Sequence, residues 1–100
     1  MPFKIVIDPR AINDIVQAVE YYNSKQIGLG EKFKTNLNKY IESLSKNPYY
    51  AFKYKDFRCL PIRQFPFLIL FYINEGDKKV FINAIFNTYQ NPKKYPILPY

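Results

Sequence analysis

The apolar residues of this chain change their spacing once, near Ala51, and that change constrains the fold more than any other feature. Up to Asn47 they recur every three or four positions, as on one face of a helix. From Ala51 they alternate or run together, as in strands. Each element then has an apolar face to bury, and the only apolar partner of adequate size for the helices is the sheet, which makes an α+β layout. One hundred residues suffice for a single domain and are too few for two, so the whole span 1–100 is read as one unit.

Phe3 to Ile7 reads as a short strand, with Phe3, Ile5 and Ile7 on one face. Asp8 is a good N-cap and Pro9 fits the first helical position, where its missing N–H costs nothing. Ile12, Ile15, Val16, Val19 and Tyr22 form the expected buried stripe of the first helix, and Asn13, Asp14, Gln17 and Glu20 its wet face, up to about Lys25. Gly28-Leu29-Gly30 reads as a flexible corner. A second stripe of Phe33, Leu37, Tyr40, Ile41 and Leu44 follows, ending at Asn47 before Pro48. Strands are expected at Phe52 to Asp56, Arg58 to Gln64, Phe67 to Asn74 and Lys79 to Asn87, as an antiparallel meander. The third, Phe67-Leu68-Ile69-Leu70-Phe71-Tyr72-Ile73, has the composition of a central strand covered on both faces. Pro61 and Pro66 predict a bulge or an edge in the strand before it. Residues from about 88 to 100 are too proline-rich for a helix and read as an extended tail, with Tyr89 and Tyr95 docking it on the sheet.

The net charge is +7, and it is unevenly placed. The first 45 residues hold six basic and five acidic side chains, the remaining 55 nine and three. A surplus of this kind in the C-terminal half favours an anionic partner: nucleic acid, an acidic protein segment or an anionic surface. Cys59 is the one cysteine, so no intrachain disulfide can form, and its apolar surroundings mark it as a small buried hydrophobe. With no histidine and one cysteine a zinc site is not expected, and no cofactor motif is present; Gly28, Gly30 and Gly76 read as turn residues rather than a phosphate loop. No signal peptide or membrane span is expected, and the cytoplasm is the default location.

The order strand, helical hairpin, antiparallel meander, together with the run Arg58-Cys59-Leu60-Pro61-Ile62-Arg63-Gln64-Phe65-Pro66-Phe67 and the close Ala84-Ile85-Phe86-Asn87-Thr88-Tyr89-Gln90-Asn91-Pro92, resembles the RelE/ParE superfamily of toxins from type II toxin-antitoxin (plasmid stabilisation) modules. The resemblance covers nearly the whole chain. It implies a toxin that arrests growth and is neutralised in a heterocomplex with a cognate antitoxin. RelE-like members cleave messenger RNA on the ribosome, a reaction that needs phosphorane stabilisation and proton transfer. This sequence departs from that pattern. Phe67 stands where an arginine often sits, Asn87 where histidine or arginine is common, and Gln90 where many relatives have arginine. Asn87 does not exchange a proton at neutral pH. The long hairpin, about Pro9 to Asn47, leans toward ParE-like members, whose type members poison DNA gyrase.

No catalytic residue is therefore assigned under the ParE-like reading. Contacts with the target or the antitoxin are expected from Arg58, Arg63, Asn87, Tyr89, Lys93 and Lys94. Under the RNase alternative the set would be Lys53, Lys55, Arg58, Arg63 and Tyr89. A third reading is an inactive relic that still binds its antitoxin. Arg58 and Arg63 lie five apart on one expected strand, so an ideal pleat points them to opposite faces unless a bulge at Pro61 resets the register. Lys53 and Lys55 share a face, where lysines also protect a strand edge from aggregation.

Overall fold

Asp8 closes the first strand and opens the first helix, as its chemistry dictates. Its carboxylate accepts the Arg10 N–H at 2.8 Å, the Asp8 backbone N–H donates to the Ile82 carbonyl at 2.8 Å, and Pro9 takes the first turn. The computed structural model describes residues 2–88, with the backbone alone at Tyr54. Strand β1 (Lys4–Ile7) leads into α1 (Pro9–Lys25) and α2 (Leu29–Lys46). A 3₁₀ turn (Pro48–Tyr50) follows, then β2 (Phe52–Tyr54), β3 (Phe57–Pro61), β4 (Phe67–Asn74) and β5 (Lys79–Asn87). The sheet order is β1-β5-β4-β3-β2, so the meander of β2 to β5 is antiparallel and β1 joins its far edge parallel to β5, from Lys4 opposite Lys79 to Ile7 opposite Ile82.

The helices cover one face of this sheet. Ala11 and Ala18 of α1 and Phe33, Leu37 and Leu44 of α2 pack with Leu60, Phe67, Ile69, Phe71, Val80, Ile82 and Ile85. Tyr22, Phe33, Phe65 and Phe67 form one ring cluster with centroids 5.0–6.1 Å apart, edge-on or tilted as aromatic quadrupoles prefer. Side chains alternate across β4, so Leu68 and Leu70 turn to the other face. There Leu68 is buried with Cys59, against Phe57, Leu70 and Phe86. Burial pushes the Cys59 thiol pKa up. The expected double cover of β4 is thus achieved on this side by the sheet's own side chains, among the described residues.

Three sequence expectations need correction. The buried stripe of α1 is rotated: Ile12 and Val16 remain 49% and 48% exposed, while Ala11 and Ala18 are buried and Ile15, Val19 and Tyr22 pack on the core. Small side chains let the helix lie close to the sheet, and the same rotation brings Asp14 off the wet face. Gly28-Leu29-Gly30 is more than a corner. Gly28 has φ +87 and caps α2, but Gly30 is buried in the first turn of that helix, where a Cβ would lie 2.5 Å from the Val19 carbonyl oxygen. The two hairpin helices approach closely because that position has no side chain.

The third correction concerns Pro61. It neither bulges β3 nor lies on an edge strand. It ends the strand, three residues short of Gln64, and the chain turns through Gln64 at φ +72 before β4 begins. The irregularity of the ladder falls instead where Leu70/Phe71 meet Ile82 and Ala84, with Asn83 as the extra residue. Strand β2 likewise stops at Tyr54, because Lys55, at φ +53, belongs to the tight turn that pairs Tyr54 with Phe57.

Candidate binding surfaces

Two groups of side chains carry the candidate chemistry, and they lie at opposite ends of the sheet. At one end are the turns between β2 and β3 and between β4 and β5. Lys53 stands directly opposite Arg58 on the β2–β3 ladder, so both point to one face. Together with Tyr49, Lys55, Asp56, Phe57, Ile73 and Glu75 they line a hollow of about 320 Å³.

Arg58 is engaged with its own chain. Its Nη1 donates to the Tyr49 carbonyl at 3.2 Å and to the Ala51 carbonyl at 3.4 Å, and its guanidinium lies 5.4 Å from the Tyr49 ring centre. The Tyr49 hydroxyl donates to Glu75 Oε1 at 2.7 Å, and the nearby carboxylate raises the phenol pKa. Arg58 thus anchors the 3₁₀ turn to the sheet while keeping part of its charge toward the hollow. Lys4 and Lys79, paired at the start of β1 and β5, and Lys78, whose Nζ lies 4.9 Å from the Phe3 ring centre, add positive charge to this end. Tyr49, Tyr50 and Phe52 are exposed beside it, Phe52 to 70%. Cations interleaved with open aromatic rings form a surface suited to an anionic chain or an acidic, apolar peptide.

At the other end lie Arg63, on the β3–β4 loop, and Asn87, which closes β5 opposite Phe67. The Arg63 backbone N–H donates to the Tyr40 hydroxyl at 3.1 Å, which fixes the loop and leaves its side chain exposed. Arg58 pairs with Phe71 and Asn87 with Phe67, four residues along β4 and two strands across. That separation is roughly 13 Å along the strand and ~10 Å across it. The structure therefore brings Lys53, Lys55 and Arg58 together and holds Arg63 and Asn87 apart from them. Tyr89, Lys93 and Lys94 lie outside the described residues.

A groove of about 670 Å³ opens between α1 and the end of the sheet that carries Asn87. Its distinctive member is Asp14, whose Oδ2 accepts the Ile85 N–H at 3.0 Å. Burial raises the Asp14 pKa, partly offset by that hydrogen bond and by Arg10. Helical periodicity alone puts Asp14 on the wet face, and its place between the buried Ala11 and Ala18, three and four residues away, is the signal that turns it inward. Among the described residues no group of three or more His, Cys, Asp or Glu side chains could hold a metal ion, and no helix is long and apolar enough to cross a membrane.

This architecture is a RelE/ParE-like fold, two helices packed on a five-stranded mixed sheet. The chain superposes on a chain of the chromosomal ParDE TA system from P. aeruginosa with a TM-score of 0.74 and 14% identity, covering 85% of this chain and 95% of that one. It also matches a chain of the toxin-antitoxin complex RelBE2 from Mycobacterium tuberculosis, with a TM-score of 0.55, 12% identity, and coverage of 87% and 99%. No protein-family profile and no curated protein matches the sequence.

Proposed function

We propose that this protein is the toxin of a type II toxin-antitoxin module, ParE-like in action: it arrests growth by binding a target such as DNA gyrase, and a cognate antitoxin neutralises it in a cytoplasmic heterocomplex. The observation that carries the reading is the likeness to the ParDE chain over nearly the full length of both chains, with the higher of the two superposition scores. The paired helices of 17 and 18 residues and the asparagine at position 87 support the same side of the superfamily. Contacts with target or antitoxin are assigned to the two charged ends of the sheet, Lys53 and Arg58 at one and Arg63 with Asn87 at the other.

The grouping of Lys53, Lys55 and Arg58 around one hollow favours a second reading, a ribosome-dependent mRNA endonuclease of the RelE type. Induced expression of the chain alone, with ribosome profiling, separates the two. Growth arrest with intact messages and DNA damage supports the ParE-like toxin. Arrest with codon-periodic message cleavage overturns it in favour of the endonuclease, and unimpaired growth overturns both in favour of an inactive antitoxin-binding protein.

A further inference from the structure

The groove beside α1 is walled by aromatic rings and carries a single charge. Ala18, Tyr21, Tyr22, Phe67 and Ile85 give it an apolar lining, and Asp14 is the only charged side chain among the described residues that line it. The Asp14 carboxylate is half satisfied. Its Oδ2 accepts the Ile85 N–H at 3.0 Å, while Oδ1 accepts no hydrogen bond among the described residues. Arg10, whose field reaches Asp14, is committed to Asp8, with Nε 3.2 Å from Oδ1 and Nη2 3.4 Å from Oδ2 of that residue. A carboxylate in such partly desolvated surroundings attracts a cation more strongly than one in open water.

The rings decide which cation. Tyr21 is 54% exposed and stands edge-on to Tyr22, their centres 5.3 Å apart. Lys25 Nζ lies 5.2 Å from the Tyr21 ring centre, which shows that the ring face is within reach of a cation. Guanidinium suits a ring-walled cleft better than an ammonium: it is flat, weakly hydrated, stacks on aromatic faces and offers several N–H donors to a carboxylate. The apolar walls on either side of Asp14 ask for apolar neighbours next to that charge. An acidic segment would meet Asp14 with like charge, and a purely apolar one would cover Oδ1 without giving it a hydrogen bond.

We propose that this groove receives the guanidinium of an arginine carried on an apolar segment of a protein partner, the charge against the Asp14 carboxylate and the flat group against the rings of Tyr21 and Tyr22. The inference rests on the toxin reading at one point only, that the bearer is a protein partner. It gives that partner a second requirement beside the acidic, apolar character that suits the β2–β3 end of the sheet.

An NMR titration of the full-length, ¹⁵N-labelled chain tests it. One probe is the capped peptide acetyl-Leu-Arg-Leu-amide, and the other carries citrulline, neutral and of the same shape, in place of arginine. The arginine peptide should give saturable shifts centred on the amides of Asp14, Ala18, Tyr21, Tyr22 and Ile85, and bind about tenfold more tightly than the citrulline peptide. Asp14→Asn, which keeps an oxygen for the Ile85 N–H, should abolish that preference. Tyr21→Ala, at an exposed ring, should weaken the arginine peptide about threefold and leave the rest of the spectrum in place. Equal binding of the two peptides, a preference that survives Asp14→Asn, or shifts centred on Arg58 and Glu75 would each overturn the proposal. So would methylguanidinium binding as tightly as the arginine peptide, which would make the groove a site for a free small cation. No toxin target or antitoxin enters this titration, so its failure is separate from failure of the growth assay.

Discussion

The Asp14 carboxylate accepts the Ile85 N–H at 3.0 Å, a side-chain cap on a strand edge 71 residues away in sequence. It fastens α1 to β5 just past the point where β1 stops pairing, and so stands in for a ladder hydrogen bond that no strand supplies there among the described residues. Asp14→Ala leaves that part-buried amide without its partner. The expected loss is about 1–3 kcal/mol in urea unfolding, with the Ile85 amide exchanging faster.

The same carboxylate sets a pH dependence. Its folded pKa lies above the ordinary aspartate value, chiefly through burial, so the folded protein keeps the proton longer than the unfolded chain. The contribution is fully present below the unfolded pKa and is lost as pH rises through the folded one. The stability difference between the unaltered protein and Asp14→Asn should therefore move against the unaltered protein as pH climbs from 3.5 to 6. Asp8, whose pKa is lowered by its bonds to Arg10, works in the opposite sense and is common to both proteins, so it cancels in the difference. A difference that moves in favour of the unaltered protein over this range would contradict the assignment.

Glycines 30 and 76 should respond very differently to the same substitution. A Cβ on Gly30 would meet the Val19 carbonyl oxygen at 2.5 Å and the Asn23 side chain at 2.7 Å, and the Gly30 N–H is already held by Asn23 Oδ1 at 2.8 Å. Gly30→Ala must push the helices apart and is expected to lose about 1–3 kcal/mol or more. At Gly76 the nearest atom is 3.5 Å away, so Gly76→Ala should stay within about 0.5 kcal/mol. Thermal denaturation of the two variants reads the contrast.

Arg58 and Arg63 should separate stability from binding. Arg58→Ala removes two hydrogen bonds that hold the 3₁₀ turn and the stacking on Tyr49, and should lower stability by about 1–2 kcal/mol. Arg63→Ala removes an exposed side chain whose backbone N–H alone contacts Tyr40, so the melting temperature should hold while affinity for an anionic partner falls. Calorimetry with and without the partner, at two salt concentrations, distinguishes the effects.

Much of this fold is legible in local chemistry. Asp8-Pro9 starts α1 where a cap and an N1 proline should, and the nearly unbroken apolar run from Phe67 to Ile73 lies in the strand Phe67–Asn74. What local reading misses depends on partners distant in sequence. Ile12 and Val16 match the helical period as well as Ala11 and Ala18 do, and only the close approach of α1 to the sheet decides for the smaller pair. The parallel pairing of β1 with β5 spans more than seventy positions, and Asp14 acquires its role only through that topology. The candidate site residues are legible by type and not by position: Arg58 and Arg63 share a short stretch of sequence, yet Pro61 ends the strand between them and sends them to different ends of the sheet.

The central claim is that this basic, RelE/ParE-like chain acts by binding a target rather than by cutting RNA. The most direct test adds the purified protein to a gyrase supercoiling reaction and, in parallel, to ribosomes translating a defined message. The account predicts dose-dependent loss of supercoiling with trapped DNA cleavage, an intact message, and reversal by the cognate antitoxin. Unaffected supercoiling together with cleavage of the message on the ribosome would contradict it.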